Sequence, residues 1–239
     1  MVHADASNFA QGVTKQQAYD QVLLQAEGLF DGQRNWVSFV LGYISNFHRV
    51  HDCLLLETDA EDKVNPSPLD IGLASNLSNA ASLLWHAYKS LPEPSTHVNW
   101  AGTVPLQLHG FSSLTFLTRW PFVAGFYTLD VTASPAKPRL ILGPFQGKVA
   151  CQTIYFGRGV CGAAASSRTT QLVRDVDQFP GHIACDGDSK SEIVVPIVVD
   201  DKVVAIIDID CAVLDGFDEI DQAALENLAA LLAKGCDWS

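Results

Sequence analysis

Positive charge is scarce in this 239-residue chain: 15 Lys and Arg stand against 27 Asp and Glu, a formal net charge of -12. A surface of that sign repels phosphates and anionic headgroups, so neither nucleic acid nor a membrane surface is an expected partner. Long apolar runs are missing too; stretches such as Ile193 to Val199 are far too short to cross a bilayer and read as strands. The residues Met1-Val2-His3-Ala4-Asp5 carry no basic segment leading into an apolar core. No secretory signal is therefore expected, and the expected location is cytoplasmic. The chain also lacks a C-x-x-C pair, internal repeats and low-complexity tracts. What it does have is six cysteines in a composition 48% hydrophobic and 18% charged, that of a soluble globular domain. In a reducing compartment structural disulfides are rare, so any cysteine function is expected to be catalytic or redox.

Apolar spacing predicts a helix over 15–30 from Tyr19, Val22, Leu23, Ala26, Leu29 and Phe30, and a second over 76–91 that stops before Pro92. Leu140 to Leu142, Glu192 to Val199 and Val203 to Asp210 are β-branched runs bounded by turn residues, and so read as strands. Asp200-Asp201-Lys202 is short enough to join the last two as an antiparallel hairpin. A final helix is predicted over 218–234, with Asp218 as N-cap and Gly235 as its stop. No regular strand-helix alternation occurs, so the expected fold class is α+β, a mainly antiparallel sheet flanked by N- and C-terminal helices. Residues 38–75 and 103–125 carry no sustained period, which is uncommon for a connection inside a compact domain.

Three cysteines, Cys151, Cys161 and Cys185, lie in glycine-flanked segments rather than among the aliphatic neighbours of an inert core thiol. Zinc is the competing reading, with His182 and Cys185 at H-x-x-C spacing. The cysteines are ten and 24 residues apart, which fits no common zinc pattern. In Ala205-Ile206-Ile207-Asp208-Ile209-Asp210, period-two alternation puts Asp208 and Asp210 on one face and Ile207 and Ile209 on the other. With Glu192 on the partner strand, three carboxyls can form a pocket that grips an ammonium group and, where one stays protonated, donates a proton. A solvated sheet face is the other reading of the same pattern.

These blocks together resemble the free methionine-(R)-sulfoxide reductases, enzymes built on a GAF domain. The resemblance is carried by Gly143-Pro144-Phe145-Gln146-Gly147-Lys148 with Cys151, Gly157-Arg158-Gly159-Val160-Cys161-Gly162, Asp175-Val176, Gly181-His182-Ile183-Ala184-Cys185-Asp186, Ser189 to Pro196, and Asp208-Ile209-Asp210. It spans essentially all of 139–235. It implies a single GAF-like domain over 15–236, after a tail at 1–14. It further implies that Cys185 attacks the sulfoxide sulfur and becomes a sulfenic acid, that Cys151 resolves it to a disulfide, and that thioredoxin reduces the disulfide. Cys161 is then an auxiliary or alternative resolving thiol. Glu192, Asp208 and Asp210 hold the sulfoxide oxygen and the free amino group, Asp175 assists, and Trp100 and Tyr127 wall the pocket. No metal or organic cofactor is implied, and a homodimer is common in the family. The reading from a different class is a non-catalytic GAF-type module that binds a small molecule or senses redox state.

The family's Asn-Trp-Ala-Gly-Phe-Tyr block is split here between Asn99-Trp100-Ala101-Gly102 and Phe126-Tyr127, and Asn35-Trp36-Val37 is separated from Asn76 by 38–75. Both interruptions are expected to be atypical insertions, either translated non-coding sequence or genuine surface loops. Cys53, Cys211 and Cys236 match none of the family's three cysteines.

Overall fold

The computed structural model describes residues 9, 12–31, 68–100, 125–130, 133–145, 150–185, 187–236 and 238. The expectations for 1–8, 10–11, 32–67 and 101–124, and with them most of both interruptions, lie outside these residues.

Helix α1 (Lys15–Phe30) starts where its apolar spacing does. Thr14 accepts from the Gln17 backbone N–H while the Gln17 side chain accepts from the Thr14 backbone, closing a capping box. Helix α2 (Pro68–Ser90) begins eight residues before the predicted start, so residues 68–75, assigned on sequence to an interruption, are helical. Pro68 suits a first helical turn, where its missing N–H costs nothing. A 3-10 turn (Ser95–His97) leads into strand β1 (Val98–Trp100). Strands β2 (Gly125–Leu129), β3 (Arg139–Phe145) and β4 (Thr153–Tyr155) follow, then helix α3 (Gly159–Ser167) and β5 (Gln171–Val173). After a 3-10 turn (Val176–Gln178) come β6 (Ser191–Val199), β7 (Lys202–Cys211) and helix α4 (Glu219–Gly235). Gly235 is the last helical residue rather than the stop.

The fold is α+β. Among the described residues the strands form one sheet in the order β4-β3-β2-β7-β6-β5, with β1 also on β7, and every pairing is antiparallel. The β6-β7 hairpin turns on Asp200 and Asp201 alone, both at positive φ, with Val199 opposite Lys202. β1 and β2 lie end to end along the same side of β7: Trp100 is opposite Asp210 and Gly125 opposite Asp208.

The sheet is buried on both faces. Ile193, Val195, Ile197, Ile207 and Ile209 pack against α1, α2 and α4 in the larger core. Val194 and Ile206 face the other way, with Tyr127, Leu140 and Ile154 and the α3 residues Val160, Cys161 and Ala164. The helical layer is pinned by a buried polar cluster. Asp221, fully buried on α4, accepts from Tyr19 at 2.7 Å and from Lys15 Nζ at 2.6 Å, and Tyr19 also hydrogen-bonds Tyr88. No helix among the described residues is long and apolar enough to cross a membrane.

Candidate active site

The β7 alternation that buries Ile207 and Ile209 under the helices turns Asp208 and Asp210 to the opposite face. Pairing with β6 sets Glu192 opposite Asp210 and Val194 opposite Asp208, so the three carboxyls share one patch of sheet. Helix α3 lies across that patch and delivers Cys161 from its first turn. Its close approach depends on Gly162, where a Cβ would stand 2.3 Å from the Tyr155 carbonyl oxygen. The loops before β4 and before β6 bring in Cys151 and Cys185, which are joined in a disulfide.

These groups line one cavity of about 110 Å3. Glu192, Asp208, Asp210 and Cys161 belong to its wall, as do Cys151 and Cys185, with Arg158, His182, Tyr155 and Ser189. The Cys161 thiol donates to Asp208 Oδ2 at 3.1 Å, and Glu192 Oε1 lies 3.6 Å from the same sulfur. Asp208 is 5% exposed and its Oδ1 is buried with no protein hydrogen bond.

Burial dominates the protonation of this cluster. Burial, and then the charge of Asp208, pushes both the Cys161 thiol and the Glu192 carboxyl well above their ordinary values. Asp208 is itself pushed up by burial to about 6, held from rising further by hydrogen bonds from Cys161 and Glu192. Burial thus favours the proton on Glu192 and on the Cys161 thiol, with Asp208, the less raised of the two carboxyls, as their acceptor. Two carboxyls in one pocket are thereby split into an acid and an acceptor.

The structure thus brings together six of the nine residues singled out on sequence. Tyr127 lies in the core behind the cavity, where burial and then the charge of Asp208 raise its phenol. Asp175 caps the 3-10 turn, accepting from the Asp177 N–H at 3.0 Å, and is not among the described cavity residues. Trp100 has its backbone beside Asp210, and its side chain lies outside the described residues. His182 and Cys185 are both at the cavity, but Cys185 is bonded to Cys151, so the H-x-x-C pair is not a zinc pair in this state. Arg158 and Tyr155 were not singled out on sequence. The Gly157-Arg158-Gly159 block was the available signal for Arg158, since Gly159 at positive φ turns the chain into α3 there.

A curled antiparallel sheet with α3 over a cysteine- and carboxylate-lined cavity on one face and α1, α2 and α4 on the other defines a GAF-domain oxidoreductase. The GAF domain family matches residues 114–235. The chain is 43% identical over 235 residues to the free methionine-R-sulfoxide reductase of Saccharomyces cerevisiae, covering 98% of this chain and 94% of that protein. It is similar to the structure of free methionine-R-sulfoxide reductase from Neisseria meningitidis in complex with its substrate, at 30% identity, TM-score 0.61, and 96% and 95% of the two chains. It is also similar to the reduced form of the Staphylococcus aureus protein, at 31% identity, TM-score 0.58, and 95% and 99% of the chains. The chain belongs to the GAF-domain free methionine-R-sulfoxide reductase family.

Proposed function

We propose that the chain reduces free L-methionine-(R)-sulfoxide to L-methionine by thiol chemistry, without a metal or organic cofactor. The observation that carries this reading is the Cys151–Cys185 disulfide on a cavity that also presents Glu192, Asp208 and Asp210. In the reduced enzyme Cys185 attacks the sulfoxide sulfur while Glu192 protonates its oxygen, because a sulfoxide is a poor electrophile until that oxygen accepts a proton. The oxygen passes to Cys185 as a sulfenic acid, and methionine leaves with the electron pair. The Cys151 thiol then displaces water to form the disulfide, and an external dithiol, thioredoxin in this reading, restores both thiols. Cys161, buried and held neutral beside Asp208, is a poor nucleophile. That favours Cys151 as the resolving residue and leaves Cys161 to donate to the carboxylate floor.

Specificity for the free amino acid follows from the same floor. Asp208 Oδ1, which has no protein hydrogen bond, and the carboxyl of Asp210 on the same cavity wall are acceptors for an α-ammonium, which a peptide-bound methionine lacks. Arg158 supplies positive charge for the α-carboxylate, and Trp100, whose backbone lies beside Asp210, is the proposed wall for the methyl end, with Tyr127 buried behind the cavity. A cytoplasmic homodimer completes the reading, with residues 38–75 and 103–125 as insertions into one domain.

The test is methionine release from free methionine-(R)-sulfoxide with dithiothreitol, and in parallel with thioredoxin, thioredoxin reductase and NADPH. The parent is expected to turn over in both and Cys185→Ser in neither. Binding of the sulfoxide without turnover by a folded parent would mark a binding module instead, and light scattering reads the oligomeric state.

A further inference from the structure

We propose that the floor of the cavity is also a zinc site, with the Cys161 thiolate, Glu192 and Asp208 as protein ligands and water in the fourth position, and that zinc there competes with substrate. One ligand atom from each of these residues lies within 4.8 Å of the other two, and all three residues are buried. The sulfur stands 3.1 Å from Asp208 Oδ2 and 3.6 Å from Glu192 Oε1. A zinc ion about 2.3 Å from sulfur and about 2.0 Å from oxygen, with tetrahedral angles, holds those two atoms about 3.5 Å apart. The observed separations bracket that edge, so the ion needs the protons removed from the cluster and little movement of the chain.

The ligands sit on elements that hold their spacing. Glu192 and Asp208 are on hydrogen-bonded neighbouring strands, and Cys161 is clamped by the contact of Gly162 with β4. An independent observation points to a cation: Asp208 is more than nine-tenths buried, lines the cavity, and leaves Oδ1 with no protein donor. One sulfur beside two carboxylates selects zinc over magnesium or calcium, which take oxygen ligands alone. The fourth position faces the cavity, as in zinc sites that keep an open place for water. Zinc at this place is not a cofactor, because it occupies the acid and the acceptors that the proposed reaction uses.

The site stands on geometry alone; the competition rests on the reductase reading, and the experiment separates the two. Full-length protein in the Cys151–Cys185 disulfide form is titrated with Co2+ as the spectroscopic probe and with Zn2+ against a chromogenic chelator. The expected result is a sulfur-to-cobalt charge-transfer band in the parent and in Cys53→Ser, absent from Cys161→Ser. Zinc affinity is expected to fall at least tenfold in Asp208→Asn and Glu192→Gln, with circular dichroism showing both variants folded. No such band in the parent, or a band that survives Cys161→Ser, overturns the site. Saturating free methionine is expected to abolish the cobalt band; a band that persists leaves the metal site standing and overturns the competition.

Discussion

Asp208 carries the largest stake of any single residue, because it is the acceptor for both Cys161 and Glu192 while its other oxygen has no protein partner. Its carboxyl is raised to about 6 by burial, so between about pH 4 and pH 6 the folded chain holds a proton that the unfolded chain has released. The contribution to stability therefore falls as pH rises through that window. Asp208→Asn is expected to lose activity yet to be more stable than the parent at pH 7, by about 1–3 kcal/mol, with the gain vanishing near pH 4; urea denaturation at the two pH values reads it. Glu192→Gln keeps a donor but cannot surrender a proton, so kcat is expected to drop about 10²–10⁴-fold with the fold intact. Arg158→Ala removes only ground-state attraction for a carboxylate. It should raise KM about tenfold and leave kcat nearly unchanged, as steady-state kinetics would show.

At the scale of elements, the register of β7 says how the interrupted strand belongs together. Trp100 lies opposite Asp210 and Gly125 opposite Asp208, which leaves room for one residue opposite Ile209. Excising 103–125 leaves Trp100-Ala101-Gly102-Phe126-Tyr127, with Ala101 as that one residue. The shortened chain is expected to fold with a Tm at least equal to that of the full chain and with methionine-releasing activity retained; a calorimetric scan and the release assay decide. The helical layer depends on a charge rather than on spacing. Asp221 is buried and accepts from Lys15 and from Tyr19, which in turn bonds Tyr88, so Asp221→Ala takes the acceptor from a buried phenol while Lys15 keeps Asp218 at 2.9 Å. A loss of about 1–3 kcal/mol is expected, read as a lower urea midpoint at unchanged m-value.

For the molecule as a whole, β-branched runs and amphipathic spacing made α1, α4 and the β6-β7 hairpin legible in the sequence, because long periodic segments declare which face they bury. The same alternation separated Asp208 and Asp210 from Ile207 and Ile209, so the acidic side of the site could be read before any coordinates. Strands β1, β4 and β5 could not be, since three residues show no period and are strands only because a neighbour pairs with them. The start of α2 was missed because its first turns lie in a segment with no sustained pattern. Arg158 and Tyr155 enter the site only through the packing of α3 against β4. Residue types and their alternation, which are local, determined the helices, the hairpin and the chemical character of the cavity. Which cysteine meets which partner is a matter of distance between segments far apart in the chain, which no local pattern fixes: the Cys151–Cys185 pair was implied only by the resemblance, and the tertiary structure brings Cys185 to Cys151 across 34 residues and turns Cys161 to the carboxylates of β6 and β7.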